Sequence, residues 1–250
     1  MVRCRSTVPE QLPTDDLKEI AVDGRLRRGD PELRHLVLML ALTFSTGIVD
    51  AIGFLGLDRV FTGNMTGNIV ILGMGIAGAE GLPVIGPIIA LVGFVVGATV
   101  AGLALRGVDA GWTRQATVLL FGVAGMLDVS AVLASTTPLT PASLPMLICT
   151  GVLGAAMGTQ AGVSRHIAVA DVTTVVVTSA LVGLAYESPL GKGNPQRWIR
   201  RILVLALLAA GAIVGALMLR LGIGWGIALA ALVTCAVAFG GLLAEGRDRP

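Results

Sequence analysis

Thr62-Gly63-Asn64-Met65-Thr66-Gly67-Asn68 stands between two long apolar runs, residues 36–57 and 69–79. Two hydroxyls, two amides and two glycines thus fall where a membrane-sized hydrophobic segment is due. A bilayer core holds no water to satisfy such groups. Irregular backbone survives at that depth only when buried in protein or lining a wet cavity. The stretch reads as the break in a discontinuous membrane helix and as the centre of a binding site.

The rest of the chain agrees with a membrane setting. Of 250 residues, 54% are hydrophobic and only 14% charged, with a mean hydropathy of +0.85. Soluble domains carry about 25% charged residues. Several apolar runs approach the roughly 20 residues that cross a bilayer core of about 30 Å. The expected fold is an all-α polytopic bundle. Its 34 glycines suit close helix packing in lipid. Cys4, Cys149 and Cys235 have no metal-ligand or disulfide spacing and read as small apolar fillers.

Residues 1–32 form a polar tail with no apolar core of a secretory signal, so the tail is expected in the cytoplasm. Residues 33–245 form one transmembrane domain with eight apolar segments: 36–57, 60–78, 82–105, 116–134, 144–163, 167–185, 202–219 and 223–244. In the first, Thr43, Thr46, Gly47, Asp50 and Gly53 recur every three or four residues and share a face.

The chain also resembles itself. Gly97-Ala98-Thr99-Val100-Ala101-Gly102-Leu103-Ala104-Leu105-Arg106 matches Gly211-Ala212-Ile213-Val214-Gly215-Ala216-Leu217-Met218-Leu219-Arg220. Asn64-Met65-Thr66-Gly67 lines up with Asp171-Val172-Thr173-Thr174, and Asp50 falls opposite Gln160 across a short gap. This suggests two repeats, 33–137 and 141–245. Two topologies are open. If all eight segments cross with the N-terminus inside, Arg106, Arg114 and Arg165 lie outside, against the tendency of basic loops to stay in the cytoplasm. If segments two and six are re-entrant, every Lys and Arg except Arg59 and Arg220 lies inside. The second arrangement gives about six crossings, plus two re-entrant or broken helices, in inverted repeats, as in many transporters.

Gly47-Ile48-Val49-Asp50-Ala51-Ile52-Gly53-Phe54-Leu55, followed by Phe61-Thr62-Gly63-Asn64-Met65-Thr66-Gly67-Asn68, resembles the YoaK family of small bacterial membrane proteins. So do Gly158-Thr159-Gln160 and Ala170-Asp171-Val172-Thr173-Thr174-Val175. The family pattern has an aromatic where Ile48 stands and Asn-Ala where this chain has Ala161-Gly162. The family is one of unknown function. The resemblance implies a fold and a bacterial cytoplasmic membrane, and leaves the activity open.

The candidate substrate- or ion-binding residues are Asp50, Asn64, Thr66, Asn68, Gln160, Asp171, Thr173 and Thr174. A carboxyl inside a membrane helix costs roughly 2.5 to 3.5 kcal/mol on insertion scales, so Asp50 faces a partner or a cavity. It reads either as a proton, cation or solute anchor, or as a structural group bonded to the Thr/Asn cluster. Asn64, Thr66, Asn68 and the backbone at Gly63 and Gly67 offer oxygens for a monovalent cation or a small polar solute. The competing reading is a helix-packing Gly-x-x-x-Gly. Asp171 also suits a helix N-cap. Asp58 and Arg59 are expected to pair at the membrane surface, and His35 with His166 to be interfacial.

The expected function is a small secondary transporter or permease. The alternative is a non-transporting scaffold, sensor or accessory subunit. An enzyme is not expected: no Ser or Cys stands beside a His or Lys, and both lysines lie in tail or loop. No phosphate loop, metal set or cofactor motif is present, and the loop arginines carry no nucleic-acid motif. The expected partners are the bilayer and a small solute, cation or proton, and a homo-oligomer is compatible.

Overall fold

The computed structural model describes residues 31–167, 177–186 and 195–248. Among these it has eight helices: α1 (Pro31–Gly56), α2 (Met65–Ile76), α3 (Ile85–Ala104), α4 (Arg114–Thr136), α5 (Leu144–Ile167), α6 (Val177–Tyr186), α7 (Pro195–Met218) and α8 (Ile223–Asp248). Six of them are long and apolar enough to cross a membrane. The exceptions are α2 and α6, with 12 and 10 residues. At about 1.5 Å per residue, α2 extends roughly 18 Å, well short of a hydrocarbon core.

α1 and α7 touch backbone to backbone. A methyl group added to Gly211 would strike Phe44, and one added to Gly215 would strike Ile48. The numbers rise together, so these helices run parallel. α3 and α5 behave likewise, with Gly93 against Gly151 and Gly97 against Ala155. Such seams need glycine because a side chain would force the helices apart.

Other pairs are antiparallel. Along α1 and α8, Ile52 meets Gly226, Ser45 Oγ donates to Ala230 O, and Leu38 meets Gly240. Along α4 and α8, Ser135 meets Gly224 and Phe121 meets Phe239. α1 and α5 oppose each other too. Val49 and Ile52 share one core cluster with Met157 and Leu153, while Leu42 and Leu36 share another with Val163 and Ile167.

The six long helices therefore alternate in direction along the chain. α1 and α3 are opposed, so the link carrying α2 leaves and returns at the same end of the bundle. The same holds for α6 between α5 and α7. This is the re-entrant arrangement of the two left open by the sequence.

The face of α1 opposite Asp50 divides. Leu42, Ile48 and Ile52 are fully buried, while Leu55 is exposed. α1 sits inside the bundle, so apolar side chains pack on it from several sides.

Candidate membrane-embedded site

α1 stops at Gly56, and Asp58 and Arg59 both take left-handed backbone, with φ of 57° and 58°. That pair reverses the chain. Residues 60–64 then run back down the side of α1, and α2 climbs out again. Close approach needs small residues here. A Cβ on Gly53 would sit 2.6 Å from Val60 O, and one on Gly67 would sit 2.8 Å from the Phe61 ring.

Two side chains hold the descending strand. Asp50 Oδ1 accepts from Gly63 N at 2.7 Å, Thr62 N at 3.0 Å and Thr62 Oγ1 at 3.4 Å. Asn68 Oδ1 accepts from Phe61 N at 2.9 Å, and its Nδ2 donates to Phe61 O at 2.6 Å. Asn68 is fully buried and mimics the strand partner that Phe61 lacks. Asn64 caps α2, its Oδ1 accepting from Gly67 N at 3.1 Å. The break thus pairs the N–H groups of Phe61, Thr62, Gly63 and Gly67 and the carbonyl of Phe61, as irregular backbone away from water requires.

A cavity of about 1000 Å³ opens beside the break. Thr46, Asp50, Arg59, Gly63, Asn64 and Thr66 give it polar groups. Phe54 and Phe61, stacked at 4.9 Å, line it as well, with Leu208 of α7 and Val177 and Thr178 of α6. Asp50 is half-buried, whereas Asn64 and Thr66 are exposed. A smaller, almost wholly apolar recess of about 490 Å³ adjoins it between α1 and α7. This volume and mix of surfaces suit a small molecule or a hydrated ion.

The sequence candidates sort as follows. Asp50, Asn64 and Thr66 meet at the cavity. Asn68 is drawn into the same motif as a staple rather than as a lining group. Gln160 approaches from α5: its Nε2 donates to Thr46 Oγ1 at 2.9 Å and reaches Leu42 O at 3.5 Å. It lies behind the cavity wall. Asp171, Thr173 and Thr174 lie outside the described residues.

Arg59 does not pair with Asp58. Its guanidinium donates to Gly81 O at 3.1 Å, while Asp58 lines a different recess. The two left-handed residues diverge as they turn the chain. His35 stacks on Trp112, 5.7 Å between ring centres, at the other end of the bundle. Sequence reasoning missed Phe54, Phe61, Arg59 and Leu208 as lining residues. The two rings stand in the quoted motif, but only the fold-back stacks them. Leu208 had no signal at all.

Residues 38–240 match the family described as Protein of unknown function (DUF1275). The chain belongs to that family. It is also similar to the UPF0700 transmembrane protein YoaK of Bacillus subtilis (strain 168), with 31% identity over 188 residues, covering 72% of this chain and 82% of the relative. No solved structure matches. For this DUF1275 chain, then, family membership agrees with a multi-pass membrane protein and brings no assigned activity.

Proposed function

We propose that the chain is a small secondary transporter or permease for an ion or small polar solute. The observation that carries this reading is the polar cavity at the broken helix, where Asp50, Asn64 and Thr66 face a space of about 1000 Å³. Intramembrane carboxyls beside a cavity mark solute and ion pathways. Discontinuous helices near the midplane supply such sites in secondary transporters.

A second feature supports alternating access. Exchanging α1 to α4 with α5 to α8 maps the main packed pairs onto one another. α1–α7 becomes α5–α3, α1–α8 becomes α5–α4, and α2–α3 becomes α6–α7, while α1–α5 and α4–α8 map onto themselves. The slight α7–α8 contact stands outside the pattern. Burial follows the same exchange: 67% and 61% for α1 and α5, 22% for both α3 and α7, and 44% for both α4 and α8.

The exchange also reaches single residues. Gly47 on Leu208 corresponds to Gly158 on Phe94, and Gly211 on Phe44 to Gly97 on Ala155. We read residues 33–137 and 141–245 as inverted repeats on this basis. The glycine seams shift the expected register by one, so Asp50 stands opposite Ala161 and Gln160 opposite Val49.

The beginnings of α1, α4 and α7 and the ends of α3 and α5 share one end of the bundle. Arg34, Arg106, Arg114, Arg165, Arg200 and Arg201 gather there, with Arg59 and Arg220 at the other. On the positive-inside tendency that end is cytoplasmic, in a bacterial cytoplasmic membrane, with the N-terminus inside. The bilayer and a small solute, monovalent cation or proton are the partners in this reading, and no catalysis is assigned. Asp171, Thr173 and Thr174 stay candidates for the second half of the site.

One observation favours a non-transporting scaffold or sensor: three loop donors already occupy Asp50 Oδ1. Purified protein in proteoliposomes separates the two readings. A panel of monovalent cations, amino acids and small sugars should include one that accumulates, and Asp50→Asn should abolish it. No accumulation from any of them, with Asp50→Asn folding and behaving like the parent, overturns the permease reading.

A further inference from the structure

Most of the hydrogen-bonded hydroxyls on these helices turn back on their own helix, Ser45 reaching instead to Ala230 O. Thr43, Thr46, Ser130, Ser135, Thr136, Thr159 and Thr234 each donate to the carbonyl four residues earlier. In a membrane helix this local bond is always within reach. Ser164 on α5 does neither. It is 2% exposed, and among the described residues its Oγ has no partner. One turn earlier on the same face stands Gln160, 1% exposed, with Oε1 equally unpartnered among the described residues. Two neighbouring orphans in a core are rare, because each lost partner is costly.

Their place gives them meaning. Gln160 Nε2 holds Thr46 Oγ1, and Thr46 lines the Asp50 cavity. α5 is antiparallel to α1, so Ser164 lies one turn further toward the N-terminal end of α1. A line of polar groups therefore runs from Arg59 at the outer turn, past Asp50 and Thr46, to Gln160 and Ser164. Around its far end pack Leu36, Met39, Leu42, Val163 and Ile167.

We infer that Gln160 Oε1 and Ser164 Oγ bind water at a second polar position, the inner, water-connected continuation of the cavity beyond Thr46. Water fits both atoms: it donates to the amide oxygen and accepts from the hydroxyl, which is what keeps Ser164 off its own helix. The inference rests on the permease reading only in treating this line as a route. A solute hydroxyl would pass along the same two atoms.

Cysteine labelling in nanodiscs tests it, in a background with Cys4, Cys149 and Cys235 replaced by alanine. Thr66→Cys marks the open cavity and Leu127→Cys the dry core. With 2-aminoethyl methanethiosulfonate, Ser164→Cys should react about tenfold or more faster than Leu127→Cys, because a thiol ionises only where it is solvated. Ser164→Cys as inert as Leu127→Cys, with Thr66→Cys labelled, overturns the inference.

Should Ser164→Cys not fold, the melting temperature of Ser164→Ala decides. Removing a dry orphan hydroxyl raises it and overturns the inference. No rise supports a hydrated group. Asp50-dependent uptake with an inert Ser164→Cys sinks this inference and spares the permease. A labelled Ser164→Cys in a chain that moves nothing does the reverse.

Discussion

α1 and α5 each carry one strongly polar side chain well inside the bundle, and they use it differently. Asp50 reaches sideways to a strand of its own half and holds Thr62 and Gly63. Gln160 reaches across the bundle to Thr46 of the other half. Asp50 holds the break in one half, beside a polar-lined cavity. Gln160 ties the halves together at their crossing. A polar residue in lipid thus acts according to the donors that face it, and its own identity decides only that it must find some.

Substitutions at four positions sharpen that contrast, the largest effect coming from neither residue. Gly158→Leu should be worst, because a Cβ there collides with the backbone of Phe94 and no rotamer relieves it. The expected loss is about 3 kcal/mol or more, read as a collapse of folded yield and melting temperature. If the α3–α5 seam were loose, Gly158→Leu would melt like the parent.

Asp50→Ala comes next. It strands two backbone N–H groups and a hydroxyl, for a loss of about 2 to 4 kcal/mol, whereas Asp50→Asn keeps an acceptor and should lose about half of that. Equal melting of both variants would mean that the strand does not depend on this carboxyl.

Asn68→Asp tests the second staple. Once ionised, the carboxyl keeps an acceptor for Phe61 N but has no donor for Phe61 O, so in alkaline buffer a drop of about 1 to 3 kcal/mol is expected. Asn68→Ala should cost more than Asn68→Asp, and the reverse order would break the two-bond assignment.

Gln160→Met is the mildest of the four. Interhelical hydrogen bonds in membranes average about 0.6 kcal/mol. The melting temperature should therefore move little, while any uptake measured in proteoliposomes should fall. A large destabilisation would place Gln160 among the structural staples with Asn68.

Much of the fold was legible from residues alone. Apolar run lengths marked eight segments, because crossing a bilayer demands about 20 apolar residues, a one-dimensional requirement, and they did not by themselves reduce the crossings to six. The amides and glycines of 62–68 announced a break because polar groups in lipid have few solutions. The basic residues favoured re-entry for segments two and six, and the helix directions agree.

What stayed hidden depends on which surfaces meet. Asn64 and Asn68 look alike in sequence, yet one caps an exposed helix start and the other is sealed against Phe61. Asp58 and Arg59 are adjacent opposite charges, but two left-handed residues point them apart. Neither Leu208 in the cavity wall nor the orphaned Ser164 could be foreseen, since both follow from the crossing of helices far apart in the chain. The sequence alone determined a lipid-embedded helical bundle interrupted at 62–68, because solvation in a membrane is a local constraint. Only the tertiary structure decided which polar groups spend their hydrogen bonds on the chain and which keep them for a cavity, because a hydrogen bond needs its partner in place.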